Sequence, residues 1–197
     1  PASRPRSRRR HRRRLPVARR ATRAADDGVV VPSSAIVRGA SDRTLKTVRV
    51  VAQPVHYVNA ANPTPVARYD TWATAATDIQ VAIEAGTTIG RLVLVTNGVY
   101  RTGIVEAYGM NRIVLTGSVA VRSVSGPEVT VLEGERETNW VRCAYVGNGS
   151  VLSGFTLTNG AAGTGGGVHS EPLGVVTKCV MAGNSAAGGG GAYGGTL

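Results

Sequence analysis

Two rings placed after glycine blocks are the residues best suited to chemistry in this sequence. Gly165-Gly166-Gly167 leads into His169, and Gly188-Gly189-Gly190-Gly191 leads into Tyr193, 24 positions later. Rings at a fixed spacing beside bare backbone could form a surface on which a sugar stacks; equally, such a pair could simply cover exposed backbone. Cys143 and Cys179 are the only cysteines, too few for a disulfide framework. Cys179 therefore reads as a reactive thiol, as half of a disulfide with Cys143, or as a small hydrophobe in a buried row. The glycine blocks lack the Lys-Ser/Thr and the strand-loop-helix setting of a phosphate-binding loop.

Acid–base and metal chemistry find little to work with. No Asp follows Asp78, and the acids beyond the helical region are Glu106, Glu128, Glu133, Glu135, Glu137 and Glu171. Glycoside hydrolysis calls for two carboxylates facing across a substrate. Glu133-Gly134-Glu135-Arg136-Glu137 is the one acidic cluster, and it reads as a solvated turn between strands rather than as a catalytic or metal pair. His11, His56 and His169 are too scattered for a metal set. Catalytic residues stay unknown, and neither a metal nor a cofactor is expected.

The elements that must position the two rings come from a repeat. Ser150-Val151-Leu152-Ser153-Gly154-Phe155-Thr156-Leu157-Thr158-Asn159-Gly160 is echoed, 24 residues on and without a gap, by Gly174-Val175-Val176-Thr177-Lys178-Cys179-Val180-Met181-Ala182-Gly183-Asn184. A short fixed period of strand residues and glycine turns marks a solenoid, in which each coil buries itself on the next. Superposing the copies stacks Phe155 on Cys179, Leu157 on Met181 and His169 on Tyr193. Lys178 then faces solvent, and alternation turns 155, 157, 179 and 181 inward. Further strands are expected at 91–96, 112–116, 119–123, 129–132 and 140–146, separated by Gly117-Ser118, Gly126-Pro127 and Gly147-Asn148-Gly149. One helix is expected over about 71–85. Asp70 or Thr71 would cap it, Trp72, Ala76, Ile79 and Ile83 would form its apolar stripe, and it would cover the open end of the coil stack.

Charge divides the chain differently. Of 23 Lys+Arg, eleven are arginines within residues 1–23, a stretch without an acid; the remaining 12 balance all 12 Asp+Glu. The excess of +11 thus belongs to a tail on a neutral body. Residues 1–28 read as disordered, residues 29–54 as a lead-in with short strands near Val29–Val31 and Val48–Val51, and residues 55–197 as the solenoid. The tail could bind nucleic acid, but only non-specifically and with steep salt dependence. No run of 18 apolar residues exists to span a membrane as a helix, and no signal peptide is readable.

Tyr57-Val58-Asn59-Ala60-Ala61, Asp78-Ile79-Gln80-Val81-Ala82-Ile83 and Val95-Thr96-Asn97-Gly98-Val99-Tyr100 resemble the opening of bacterial right-handed parallel β-helix proteins of the pectin-lyase-like superfamily. Arg122-Ser123-Val124-Ser125-Gly126-Pro127 and Gly154-Phe155-Thr156-Leu157-Thr158-Asn159-Gly160 add to the likeness. The fold expected is an all-β, right-handed parallel β-helix with one short N-terminal capping helix and an Arg-rich tail. The resemblance implies an extracellular or cell-surface protein, with polysaccharide or cell-surface glycan as partner and further coils beyond residue 197. Two features depart from the family: Lys178 precedes Cys179 where an Asn is usual, and the repeat is still running at Leu197, which leads us to expect a truncated solenoid. The function expected is a structural or adhesive module that binds glycan. The alternatives are a polysaccharide lyase or glycoside hydrolase with its active coils downstream, and anionic-polymer binding through the tail.

Overall fold

The computed structural model describes residues 54–197 throughout, preceded by the backbone of two strands, Ser34–Val37 (β1) and Lys46–Arg49 (β2). These two pair antiparallel, Ser34 opposite Arg49. The Arg-rich tail and the strand expected at Val29–Val31 lie outside the described residues.

The rest is a parallel β-solenoid of about four turns. It opens with Val55–Val58 (β3) and a helix, Ile79–Ala85 (α1). The first full coil holds Leu92–Val95 (β4), Gly98–Tyr100 (β5), a short antiparallel arm Val105–Glu106 (β6) and Met110–Leu115 (β7). The second holds Ala120–Ser123 (β8), Thr130–Glu133 (β9) and Arg142–Val146 (β10). The third runs Val151–Ser153 (β11), Thr156–Thr158 (β12), Ala161–Thr164 (β13) and Val168–Ser170 (β14). The fourth repeats it as Val175–Thr177 (β15), Val180–Ala182 (β16), Ser185–Gly188 (β17) and Ala192–Tyr193 (β18).

Stacking yields a first sheet β3-β4-β8-β11-β15, a second β5-β9-β12-β16, a third β6-β7-β10-β14-β18 and the pair β13-β17. A parallel strand pair needs a long crossover, and here the remainder of each coil supplies it.

Inward side chains form rows along the stack. The first sheet contributes Val93, Val121, Leu152 and Val176, and the second Tyr100, Leu132, Leu157 and Met181. Ile113, Ala144, Val168 and Ala192 come from the third. Nearly all are buried in one core cluster, with Met181 and Ala192 partly buried against it. Burying one such aliphatic side chain stabilises by about 1.5–3 kcal/mol, so small residues suffice where every rung covers the next.

Register explains the 24-residue echo. Val151 pairs with Val175, 24 residues on, whereas Leu92 pairs with Ala120 and Ala120 with Val151, 28 and 31 residues on. The corner from third to first sheet stays at seven residues in each coil: Ile113 to Ala120, Ala144 to Val151, Val168 to Val175. Length varies only at the other corners. In the last two coils those corners turn through left-handed backbone at matching places, Gly154 and Lys178 (φ 83° and 53°), and Asn159 and Gly183 (φ 55° and 65°). Glycine accepts this geometry freely; Lys178 adopts it at a cost of about 1 kcal/mol.

The helix is shorter than the apolar spacing implied. It spans Ile79–Ala85 rather than 71–85, and its cap is Asp78, whose carboxylate accepts from Gln80 N and Val81 N, not Asp70 or Thr71. Two competitors remove the earlier residues. Thr71 and Thr74 bond each other's backbone and hydroxyls in a local turn, and Ala76 bridges to β3 through Asn59 N and Tyr57 O. Trp72 therefore stands outside the helix, edge-on to Tyr57. Ile79 and Ile83 are buried as expected, and Ala76 is buried from its extended segment. Gln80 Oε1 accepts from Val114 N at 2.8 Å, so the helix satisfies a backbone donor on β7 that no strand pairs.

Candidate functional site

The outer face of the third sheet carries a continuous row of rings. Register sets Tyr145 beside His169 and His169 beside Tyr193. A fourth ring, Tyr108, comes from the tight turn joining β6 to β7. Centroid separations along Tyr108, Tyr145, His169 and Tyr193 are 5.4, 5.6 and 5.2 Å, with the first two pairs stacked and the last tilted. Each aromatic pair contributes about 0.5–1.5 kcal/mol beyond its buried area. Stacking closes the middle of the row and leaves its ends open: Tyr145 is 5 % exposed, Tyr193 48 % and Tyr108 79 %.

Arg142 anchors the row from below. Only 2 % exposed, it donates to Asn111 Oδ1 (2.7 Å), Gly165 O (2.9 Å), Thr164 O (3.0 Å) and Tyr108 O (3.4 Å). It thus ties together the turns that lead into the Tyr108 and His169 rings. A buried cation is tolerable when its donors are met in this way. Arg91 and Arg112 follow the same pattern, donating to carbonyls of the helix end and of neighbouring coils.

Two rings of the row feel their surroundings electrostatically. The Tyr145 hydroxyl donates to Glu171 Oε1; burial, then that carboxylate, pushes the phenol above its ordinary value. His169 Nδ1 lies 3.1 Å from Thr164 Oγ1. Burial, then Arg142, lowers its pKa, against a smaller opposite pull from Glu171. Both shifts favour the uncharged forms of Tyr145 and His169, and the row as a whole offers apolar faces with hydrogen-bonding edges, suited to a polar ligand with apolar faces.

The thiols are not activated. Both cysteines are free, Cys143 buried and Cys179 half-buried. Burial pushes Cys143 up to about 12, its sulfur directed at Thr158 O (3.2 Å), and burial likewise raises Cys179. A nucleophilic thiol needs the opposite shift. Phe155 lies fully buried in the core with Cys179 packed against its edge, and Lys178 is exposed. In the acidic cluster, Glu135 is held by Arg112 (3.6 Å) and Asn139 (3.2 Å), leaving Glu137 exposed. Among the described residues no three His, Cys, Asp or Glu side chains converge, and no helix is long and apolar enough to cross a membrane.

A second feature lies at the corner between the second and third sheets. There the β13–β17 pair, faced by alanine and glycine, floors a groove of about 590 Å³ walled by Trp140, Arg136 and Glu137. Trp140 does not begin the strand expected at 140–146; β10 starts at Arg142, and Trp140 takes left-handed backbone (φ 52°) with its side chain 61 % exposed.

The spacing of 24 finds His169 and Tyr193 and, extended one step back, would have found Tyr145. Tyr108 gives no such signal, because a hairpin turn and not the repeat places it. Trp140 and Arg142 were hidden inside an apparent strand. No family model matches the chain, and no curated protein or solved structure matches it either.

Proposed function

We propose that this chain is a surface-displayed β-solenoid module of the pectin-lyase-like kind that holds a glycan against the open end of its ring row. The observation that supports this reading most is the row itself: four rings from three successive coils and one hairpin, aligned on an outer face and fixed by a buried arginine. A pyranose offers apolar C–H faces and hydroxyl edges. Tyr193 supplies a free ring face, and the His169 edge and the Tyr193 hydroxyl supply hydrogen bonds. Glycan-array binding followed by calorimetry tests this: His169→Ala and Tyr193→Ala should each weaken binding about tenfold or more. Unchanged affinity in both would end the proposal.

A further inference from the structure

We infer that the groove beneath Trp140 is a second carbohydrate site, one that takes a neutral pyranose unit of a polysaccharide. This deepens the glycan reading by adding a site and a ligand class, and it involves none of the ring-row residues.

Three observations carry it. The first is shape. The groove's volume of about 590 Å³ falls within the few hundred to about a thousand Å³ typical of small-ligand sites. Its floor is flat because Ala162 lies beside Ala186 in register and Gly163 adds no side chain.

The second is Trp140. An indole that served only to cover backbone would be buried by what it covers; this one keeps most of its surface in solvent. Its unfavourable left-handed backbone is nevertheless held in place. Residues 135 and 141 bond each other N to O in both directions, and Arg112 and Asn139 fix Glu135. The loop is pinned at its base, and Trp140, next to that pin, lines the groove. Strain maintained by surrounding structure, on a large exposed ring, points to use.

The third is charge. Arg136 and Glu137 are the groove's ionisable groups. The Arg136 guanidinium also reaches Gly183 O at 3.5 Å. One acceptor-only carboxylate beside one donor-only guanidinium matches a ring of hydroxyls, which donate and accept. A uronate would gain at Arg136 what it loses at Glu137, so the groove offers an anion no net charge to offset its desolvation. An extended peptide would seek a strand edge, but the floor offers the side-chain face of β13 and β17.

Trp72 and Trp140 are the only tryptophans, so Trp72→Phe leaves Trp140 as the sole indole reporter. The probes are hexasaccharides of β-1,4-glucose, β-1,4-xylose, β-1,4-mannose and α-1,4-glucose, with hexagalacturonate as the anionic control. At least one neutral probe should produce a saturable shift in Trp140 emission. Glu137→Ala should weaken that response about tenfold, hexagalacturonate should bind more weakly, and Tyr193→Ala should leave the response unchanged. Circular dichroism confirms that each variant is folded. Silence of Trp140 toward every neutral probe up to about 10 mM, or a stronger response to hexagalacturonate, overturns the inference. If the Trp140 response persists while His169→Ala and Tyr193→Ala leave total binding untouched, the ring row fails and the groove stands; the reverse pattern fails the groove alone.

Discussion

The same corner is built in opposite ways in successive coils. Residues 134–143 of the second coil and 159–167 of the third both connect the second sheet to the third, since Glu133 pairs with Thr158 and Ala144 with Val168. The two segments differ by one residue in length. The first, Glu-Arg-Glu-Thr-Asn-Trp at its tip, rises as a pinned loop and forms a wall. The second, Gly-Ala-Ala-Gly-Thr-Gly-Gly-Gly, lies down as β13 and forms a floor. The solenoid fixes where the chain must return, and composition decides what the detour displays. Side chains that need solvent or a partner lift the loop, and residues without side chains let backbones close on one another. At Gly160 an added Cβ would run into Gly166 O and sit 2.9 Å from Cys143 Sγ, so the inner edge of the floor has no spare room, whereas a Cβ at Gly163 would point into open space. Trp140, by contrast, is 61 % exposed.

The largest expected effect tests what joins the two regions to the ring row. Arg142→Met strips donors from Thr164 O, Gly165 O and Tyr108 O and should cost about 3 kcal/mol or more in urea unfolding; a loss near zero would mean that these carbonyls find water. Next, the floor should be intolerant and the wall tolerant. We expect Gly160→Ala to cost about 1–3 kcal/mol through overpacking, against no more than about 0.5 kcal/mol for Trp140→Ala, an exposed position. Equal costs would erase the distinction. Smaller, and opposite in sign, Lys178→Gly should raise stability by about 1 kcal/mol by relieving left-handed backbone, making the fourth coil match Gly154 of the third.

The smallest effect is that of pH. His169 is held below its ordinary value of 6.5, so the unfolded chain takes up its proton first as acid is added. The stability due to neutral His169 is complete above about pH 6.5 and declines below it. Tyr145, Tyr193 and Thr164 contact the ring, and of the two charges that act on it Arg142 opposes the cation and Glu171 favours it. His169→Gln should remove that part of the acid sensitivity in thermal melts at pH 5 to 7, about the range over which histidine titrates.

Legibility in the sequence followed the same division. Where coils are minimal, the period of 24 exposed the fold, the Leu157–Met181 rung and the His169–Tyr193 pair. The strand expected at 112–116 fell on β7 except for its last residue, and that at 119–123 on β8 except for its first. Where corners are long, side-chain partners decide the path and periodicity is silent. Trp72 fitted a helical stripe, yet the Asp78 cap and the pairing of Ala76 with β3 took its turn out of the helix. Arg142 was legible only as one residue of the strand expected at 140–146, because nothing local reveals that Tyr108 O, Asn111 Oδ1, Thr164 O and Gly165 O converge on it. Tyr108 reached the row through a turn whose geometry no pattern of residue types announces.

The register that aligns the ring row bears most directly on the whole account. In a Cys143→Ala, Cys179→Ala background, cysteines placed at 169 and 193 should oxidise to an intramolecular disulfide, since in-register strands about 4.8 Å apart bring their Cα atoms within bridging range. Peptide mapping should find that cross-link, and little of one between 169 and 195. Closure at 195 in place of 193, or only intermolecular dimers, would contradict the stacked register, and with it the row, the floor and the wall that depend on it.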